Sequence, residues 1–261
     1  MQGQEPLDYL PLWALLGTTV VLIFLAVEAG FRVGRWRQRR AEHEREIPVG
    51  AIVAATLGLL AFLLAFTFGM AASRFEIRRG LVLDEANALK TAYLRAALVP
   101  EPHRTEIRTL LREYVDLRLG GVEHGMAVPA LARSEKLQGQ LWAQAVIVAE
   151  KNPTPLTGLF IQSLNEVTDL HAKRVTVGMR NRIPITIWGI LYFTAILAMV
   201  GVGYHEGLTS TTRTLATLVL VVTFSGVLWL LEDLDRPQEG LIKVSQQAMV
   251  DLRQLMTPQK Q

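Results

Sequence analysis

The sequence contains no cysteine. That absence excludes disulfides, thiolate nucleophiles, iron–sulfur clusters and thiolate metal sites, and it says nothing about the redox compartment. Charged residues are also scarce, because they make up 20% of the 261 residues whereas 50% are hydrophobic. This balance indicates a membrane protein, and together with the four long apolar runs described next it excludes an intrinsically disordered chain and a soluble enzyme with a single core.

Four long runs contain no charged residue at all. They are residues 10–27, 49–72, 183–204 and 214–231. Each is about 20 residues long, which is the length that crosses a hydrocarbon core of ~30 Å at ~1.5 Å per helical residue. The sequence therefore predicts an all-α integral membrane protein with four transmembrane helices.

Enzyme motifs are absent as well. There is no H-E-x-x-H, no glycine-rich phosphate loop, no G-x-S-x-G elbow and no metal-ligand spacing of histidines. The four runs also lack Asp, Glu, Lys, Arg and His, which argues against active transport because proton relays and ion-coupled transporters use such groups. We expect no enzymatic activity, no cofactor and no nucleic-acid partner. A passive pore is still compatible with these absences, because a hydrophobic constriction can gate conduction without charged groups.

The runs form two pairs separated by a water-soluble stretch. The predicted domains are 1–72 (first helix pair with a basic loop), 73–182 (helical soluble domain), 183–231 (second helix pair) and 232–261 (tail). Apolar residues at helical spacing predict soluble helices at 74–98, 103–119, 127–150 and 155–181, and a tail helix near 244–256. Gly120 and Gly121 are expected to end the second of these. The first should continue the second transmembrane helix, because no helix breaker separates them.

Charge distribution bears on orientation. Six arginines lie between the first two runs, at positions 32, 35, 37, 39, 40 and 45. The positive-inside rule places this loop in the cytoplasm and therefore places the 73–182 domain outside. Basic residues at both ends of that domain favour the opposite orientation, although long domains cross membranes largely regardless of charge.

The second run carries two stripes that advance about one helical turn at a time. The small residues are Gly58, Ala61, Ala65 and Gly69, and the bulky ones are Phe62, Phe66 and Met70. Small-xxx-small spacing lets a neighbouring backbone approach closely. In a closed ring of copies the bulky side chains would line a narrow apolar neck, with the hydroxyls of Thr56 and Thr67 on an adjoining face. Ordinary helix packing is the alternative.

Two charged groups flank the membrane runs. Arg74, Arg78 and Arg79 follow the second run, and Glu232, Asp233 and Asp235 follow the fourth. In a ring, the arginines would raise the local anion concentration at the pore mouth, or they would contact lipid headgroups. The three carboxylates could join backbone carbonyls in holding Ca²⁺, or they could form a solvated or arginine-paired helix end.

Three segments resemble one known family. They are residues 66–75 leading into the D-E-A-N-A of 84–88, the L-L-R-E-Y-V-D of 110–116, and the D-L-D-R-P-Q-E-G-L-I-K-V-S of 233–245. Together and in this order they resemble the bacterial bestrophin-like family, which is catalogued as a domain of unknown function and is remotely similar to bestrophin anion channels. That family's closing motif usually has Phe where this chain has Gln238.

The resemblance implies a passive, anion-conducting channel in a bacterial inner membrane. Bestrophins proper are pentamers whose second span lines the pore with an apolar triplet, and Phe62, Phe66 and Met70 are similar to that triplet. Their calcium clasp follows the fourth span, where this chain has only part of the acidic set. Their soluble segment is cytoplasmic, which disagrees with the orientation expected here from charge.

Two further expectations concern the soluble domain. Glu85 and Asn87 would hold the stalk helices of neighbouring copies together, with Arg95 or Arg118 as partners, or else they would pair within one chain. The lipid bilayer, inorganic ions and identical copies are the expected partners. A non-conducting scaffold or stress sensor, whose 73–182 domain binds a partner protein, is the alternative function.

Overall fold

The structure is a computed structural model that describes residues 11–40, 49–123, 127–180, 182–209, 215–236 and 240–257. Within these ranges every regular element is helical, and no strand occurs. The α-helices are α1 (Leu12–Arg40), α2 (Val49–Arg95), α3 (His103–Glu123), α4 (Ala127–Lys151), α5 (Pro155–Arg180), α6 (Ile185–Leu208), α7 (Leu215–Asp235) and α8 (Gln247–Met256). A 3₁₀ turn, Ala96–Leu98, follows α2. The predicted all-α fold class is confirmed.

Four of the described helices are long and apolar enough to cross a membrane, and they are α1, α2, α6 and α7. Each contains nearly all of one charge-free run and continues beyond its end. α2 continues without a break for 47 residues, which corresponds to about 70 Å at ~1.5 Å per residue. The predicted continuity between the second span and the first soluble helix is therefore correct.

The glycine pair near position 120 does not end a helix. α3 passes through Gly120 and Gly121 and ends at Glu123, so the expected stop at this point was wrong. A glycine inside a helix costs only ~1 kcal/mol relative to alanine, and packing of the remaining apolar face exceeds that cost.

The chain divides into two compact units. One, called here the membrane unit, comprises Met1–Arg74 and Arg182–Ile242, and the other, the soluble unit, comprises Phe75–Asn181 and Lys243–Gln261. The predicted tail domain, 232–261, is thus shared between them.

In the membrane unit, α1 and α6 pack backbone against backbone. A Cβ added at Gly30 would overlap the carbonyl oxygen of Val200, and one added at Gly203 would overlap that of Val27. Nearer the start of the two helices, the hydroxyls of Thr19 and Tyr192 lie 2.9 Å apart. Contact positions increase together along both helices, so α1 and α6 run parallel. This packing is the small-residue contact expected between membrane helices.

The core of the soluble unit is built from the C-terminal half of α2, from α3, α4 and α5, and from α8. Its fully buried side chains include Leu89, Ile107, Leu111, Phe160 and Met249. α8 is held mainly by Met249, Leu252 and Met256, which are buried in this core. At the surface Arg253 pairs with Asp116 at 2.6 Å, and the last carbonyl of the helix accepts a hydrogen bond from the Tyr93 hydroxyl at 3.3 Å. The tail helix is therefore an integral part of this core.

Candidate functional site

The membrane half of α2 leaves one apolar face without packing from the described part of its own chain. Phe62 and Phe66 are 66% and 62% exposed. A Cβ added at Gly58 or Gly69 would meet no described atom within 4 Å. The opposite face is packed, as its buried residues Leu60, Leu64, Thr67 and Ala71 show. The two phenylalanines and the small residues beside them thus share one open face.

The other predicted pore residues lie elsewhere on α2. Met70 is partly buried and Thr67 is buried. The hydroxyl of Thr67 donates to the carbonyl of Leu63, and that of Thr56 donates to the carbonyl of Ile52, each at 2.8 Å. Both hydroxyls are thus satisfied by their own helix. A pore-lining role for these residues stays a prediction.

The three arginines after the second span have different surroundings. The Arg74 guanidinium lies 3.9 Å from the carboxylate of Asp235. Arg78 is buried. Arg79 is exposed and pairs with Glu76 at 3.7 Å. Arg79 is therefore the member of this group whose charge faces solvent.

Asp235, at the end of α7, joins two segments of the membrane unit. Its carboxylate is fully buried and accepts a hydrogen bond from the backbone N–H of Ile183 at 3.0 Å and another from Arg182 at 3.3 Å. A buried carboxylate needs such donors to offset the loss of water. Asp235 therefore fixes the end of α7 to the segment that leads into α6.

Asp233 holds the turn that follows α7. Its two carboxylate oxygens accept the backbone N–H groups of Leu241 and Ile242 at 2.8 and 3.0 Å. Gly240 has φ of +134°, and a Cβ there would overlap the Asp233 carboxylate. The glycine of the D-R-P-x-x-G segment is thus required by both backbone conformation and space.

The third acid of that group, Glu232, is fully buried, and its carboxylate lies 4.0 Å from the Arg236 guanidinium. Among the described residues, no group of three or more His, Asp or Glu side chains is arranged to hold a metal. The calcium site therefore stays a prediction without geometric support.

A buried polar network in the soluble unit is centred on Glu85 of α2. The carboxylate is fully buried and accepts hydrogen bonds from the Tyr114 hydroxyl at 2.9 Å, from Arg118 at 3.3 Å, and from Arg174. Burial alone would raise the pKa of Glu85, but the charges of Arg118 and Arg174 outweigh it and hold that pKa below its ordinary value. Glu85 is thus an ionised carboxylate between two cations.

Tyr114 and His171 extend this network. The Tyr114 hydroxyl lies 2.8 Å from Nδ1 of His171. Burial raises the pKa of Tyr114, so it keeps its single proton and donates it to Glu85. Nδ1 of His171 must therefore be the donor to the tyrosine oxygen, which leaves Nε2 as an unprotonated nitrogen. That nitrogen is buried and has no hydrogen-bond partner among the described residues.

The same network reaches the tail. Arg174 donates to the side-chain oxygen of Gln246 at 2.9 Å, and Gln246 in turn donates to the carbonyl of Val244 at 3.1 Å. Glu85 therefore pairs within its own chain, which was one of the two expected arrangements. Asn87 is exposed, and Arg95 donates to the carbonyl of Leu159 instead.

Sequence reasoning identified Glu85 and Arg118 but missed Tyr114, His171, Arg174 and Gln246. A signal was available on α5, where His171 and Arg174 continue the buried stripe formed by Phe160, Leu164 and Val167. Polar residues at core positions of an amphipathic helix are normally paired when buried.

His171 should make the soluble unit sensitive to acid. Burial, together with the charge of Arg118, lowers the pKa of His171 below its ordinary value. The unfolded chain then takes up this proton at a higher pH than the folded chain, so acidification favours unfolding. The contribution of neutral His171 to the free energy of unfolding is fully present above the pKa of ~6.5 in the unfolded chain. It declines as the pH falls towards the lower pKa of the folded chain.

We expect the melting temperature of the detergent-solubilised protein to fall as pH is lowered from about 7.5 to about 5.5. His171→Gln should flatten this dependence, because glutamine does not titrate. His103→Gln, which replaces a partly exposed histidine at the start of α3, is the control and should keep the wild-type slope. Equal slopes for wild type and His171→Gln would contradict this assignment.

Comparison with known proteins gives the family. The sequence profile of the Bestrophin-like domain matches residues 19–249. The chain belongs to the Bestrophin-like family. This confirms the resemblance that the three sequence segments indicated. No curated protein matches the sequence significantly.

Solved structures show the same fold. A mutant of a bacterial bestrophin homologue from Klebsiella pneumoniae matches with a TM-score of 0.66 at 16% identity, covering 92% of this chain and 96% of that one. A second mutant of that homologue matches with a TM-score of 0.68 at 14% identity, covering 94% and 96% of the respective chains. This Bestrophin-like protein is therefore a multi-pass membrane protein with the fold of the bacterial bestrophin homologues.

Proposed function

We propose that this protein is a passive ion channel formed by a closed ring of identical copies, with the membrane half of α2 lining the axis. The observation that carries the proposal is the open face of α2, where Phe62 and Phe66 are exposed beside Gly58 and Gly69. Burial from water does not drive helix association in lipid, so small residues mark a face that another helix can approach closely. Because no described atom of this chain lies within 4 Å of a Cβ added at Gly58 or Gly69, we infer that the approaching helix belongs to another copy.

The two phenylalanine rings form the proposed neck. Repeated around an axis, Phe62 and Phe66 would give two apolar rings that gate conduction by dewetting. Met70 would lie at the margin of the neck, and Thr56 and Thr67 would shape the helix through their bonds to its backbone.

Anions are the ions that we propose pass through the channel. Arg79 faces solvent, and a ring of such charges beyond the neck would concentrate anions. Arg74, which is partly exposed, and Arg78, which is buried, would add to this field.

Five copies, as in bestrophins proper, are the proposed assembly. We also propose a bacterial inner-membrane location with the first loop in the cytoplasm, because that short loop carries six arginines.

A flux assay in liposomes tests the channel and its neck together. The purified wild type should carry chloride, and Phe62→Ala/Phe66→Ala should raise the flux about tenfold, which corresponds to a barrier lowered by ~1.4 kcal/mol. Phe193→Ala removes an equally exposed ring, 64% accessible, from α6 and should leave the flux unchanged. The channel proposal fails if no ion is carried by wild type or by the double variant.

A scaffold or sensor is the second candidate. The soluble unit has a shallow apolar groove between α4 and α5 that is lined by Trp142, Val146 and Ile161. An intact oligomer that carries no ion would favour this function over conduction.

A further inference from the structure

The end of α1 projects past the helix against which it packs. A Cβ added at Gly34 would come within 3.0 Å of the Cα of Gly207, which is the residue before the last one of α6. α1 continues for six more residues, to Arg40, or about 9 Å at ~1.5 Å per residue. Residues 35–40 therefore extend beyond the end of α6 at the side where α1 leaves its apolar run.

This projecting segment carries a strong positive charge. Residues 33–40 contain four arginines and no acidic residue, and all four arginines are exposed. They are Arg35, Arg37, Arg39 and Arg40. The preceding arginine, Arg32, is paired with Glu28 at 2.9 Å, so the charge is concentrated in the last turns of the helix.

Two of these arginines pack over aromatic rings that lie four residues earlier on α1, on the side of the membrane span. The Arg35 guanidinium lies over the Phe31 ring at 5.4 Å, and that of Arg40 lies over the Trp36 ring at 4.2 Å. Side chains on a helix lean towards its N-terminus, and the N-terminal part of α1 is the membrane span. The cations are thus directed back towards the bilayer.

The same turns expose apolar groups suited to a lipid surface. Trp36 is 56% exposed and Val33 is 54% exposed. Tryptophan is enriched at the level of lipid headgroups, where its apolar ring and its polar N–H are both accommodated. Cationic and aromatic side chains therefore occur together just beyond the apolar span of α1, where a spanning helix enters the headgroup region.

We propose that residues 33–40 of α1 bind the headgroups of anionic phospholipids. The planar guanidinium forks of Arg35, Arg39 and Arg40 match phosphate oxygens, and the Trp36 ring supports Arg40 while it rests at the interface. Basic clusters directly beside a membrane span attract anionic lipids in a salt-dependent way. This inference does not depend on the channel proposal, because it needs neither a pore nor a second copy.

Native mass spectrometry of the full chain tests it by counting lipids retained from equimolar phosphatidylglycerol and phosphatidylcholine. The wild type should prefer phosphatidylglycerol, and the preference should decrease at high salt. Arg35→Gln/Arg39→Gln/Arg40→Gln should reduce the preference at least about fivefold. The control, Lys136→Gln/Lys151→Gln/Lys173→Gln, removes the same charge from exposed positions of the soluble unit and should leave it unchanged.

Trp36→Leu gives a second test. It keeps all the arginines of this segment, so the positive charge that directs membrane orientation is unchanged. Four other tryptophans remain in this variant, and one of them, Trp13, is 77% exposed on the same helix. We therefore expect Trp36→Leu to remove the excess of tryptophan quenching by brominated phosphatidylglycerol over that by brominated phosphatidylcholine, and to lower the phosphatidylglycerol preference about twofold. Equal retention of the two lipids by wild type, or equal preference in the arginine and lysine variants, would overturn the proposal. So would identical quenching of wild type by brominated phosphatidylcholine.

Discussion

Gly203→Leu should destabilise the membrane unit severely. A side chain at this position of α6 has no room, because even a Cβ would overlap the Val27 carbonyl and come within 2.9 Å of the Phe31 nitrogen. Both obstacles are backbone atoms of α1, so relief requires the helices to separate. Overpacking of this kind lowers the free energy of unfolding by about 3 kcal/mol. We therefore expect a fall of about 10 °C in melting temperature.

The matched control is Gly189→Leu on the same helix. Gly189 is exposed, and a Cβ there would meet no described atom within 4 Å. Because leucine has a higher helix propensity than glycine, this control should be neutral or slightly stabilising. If both variants melt together at the wild-type temperature, the backbone contact between α1 and α6 is not what holds the membrane unit together.

The fold was largely predictable because a membrane imposes a simple constraint. Every backbone group inside the hydrocarbon must be paired, so an uncharged run of sufficient length has to be a helix. The continuation of α2 into the soluble unit was also predictable, since no breaker lies between Ala72 and Phe75. The end of α3 was not, because a glycine only weakens a helix and packing decides where it stops.

Helix partners were harder to predict than helices. Small-residue spacing was identified on α2, where the described part of the chain packs nothing against Gly58 or Gly69. The same spacing occurs as Gly30-x₃-Gly34 in α1 and as Gly203-x₃-Gly207 in α6, and that pair forms the close contact within one chain. Spacing shows that a helix can be approached closely, but it does not show by which neighbour.

The buried network illustrates a second limit. Glu85 was identified from its own segment, whereas its partner Tyr114 is 29 residues away along the chain, and the His171 that follows is a further 57 residues away. Helical periodicity shows which face of each helix is buried, but the pairing of faces between α2, α3 and α5 is decided by packing in three dimensions. Contacts at such separations cannot be inferred from a single sequence.

Glu85→Ala should have the second large effect, on the soluble unit. It leaves the guanidinium groups of Arg118 and Arg174 buried, with side chains only 13% exposed, and without their carboxylate. Breaking a buried ion pair in this way costs about 3–5 kcal/mol. We expect a fall of roughly 10 °C in the melting temperature of the full-length protein in detergent, together with faster amide exchange in α5.

Asp84→Ala is the control for this variant, because it removes an exposed carboxylate one residue earlier on α2 and should change stability by less than ~0.5 kcal/mol. A wild-type melting temperature for Glu85→Ala would contradict the assignment of Glu85 as the centre of the network.

The combined variant Glu85→Met/Arg118→Leu/Arg174→Met removes all three charges together. It therefore distinguishes the net contribution of the ion pairs to stability from the destabilisation that arises when two buried arginines are left without their carboxylate. Replacing a buried ionic group by apolar side chains of similar volume is often neutral or stabilising, so this variant should regain most of the stability that Glu85→Ala loses. Tyr114 keeps a partner, because its hydroxyl can donate to Nδ1 of His171 once the imidazole proton moves to Nε2. If the combined variant is instead less stable than Glu85→Ala, the charges themselves, and not only their mutual pairing, hold α2, α3 and α5 together.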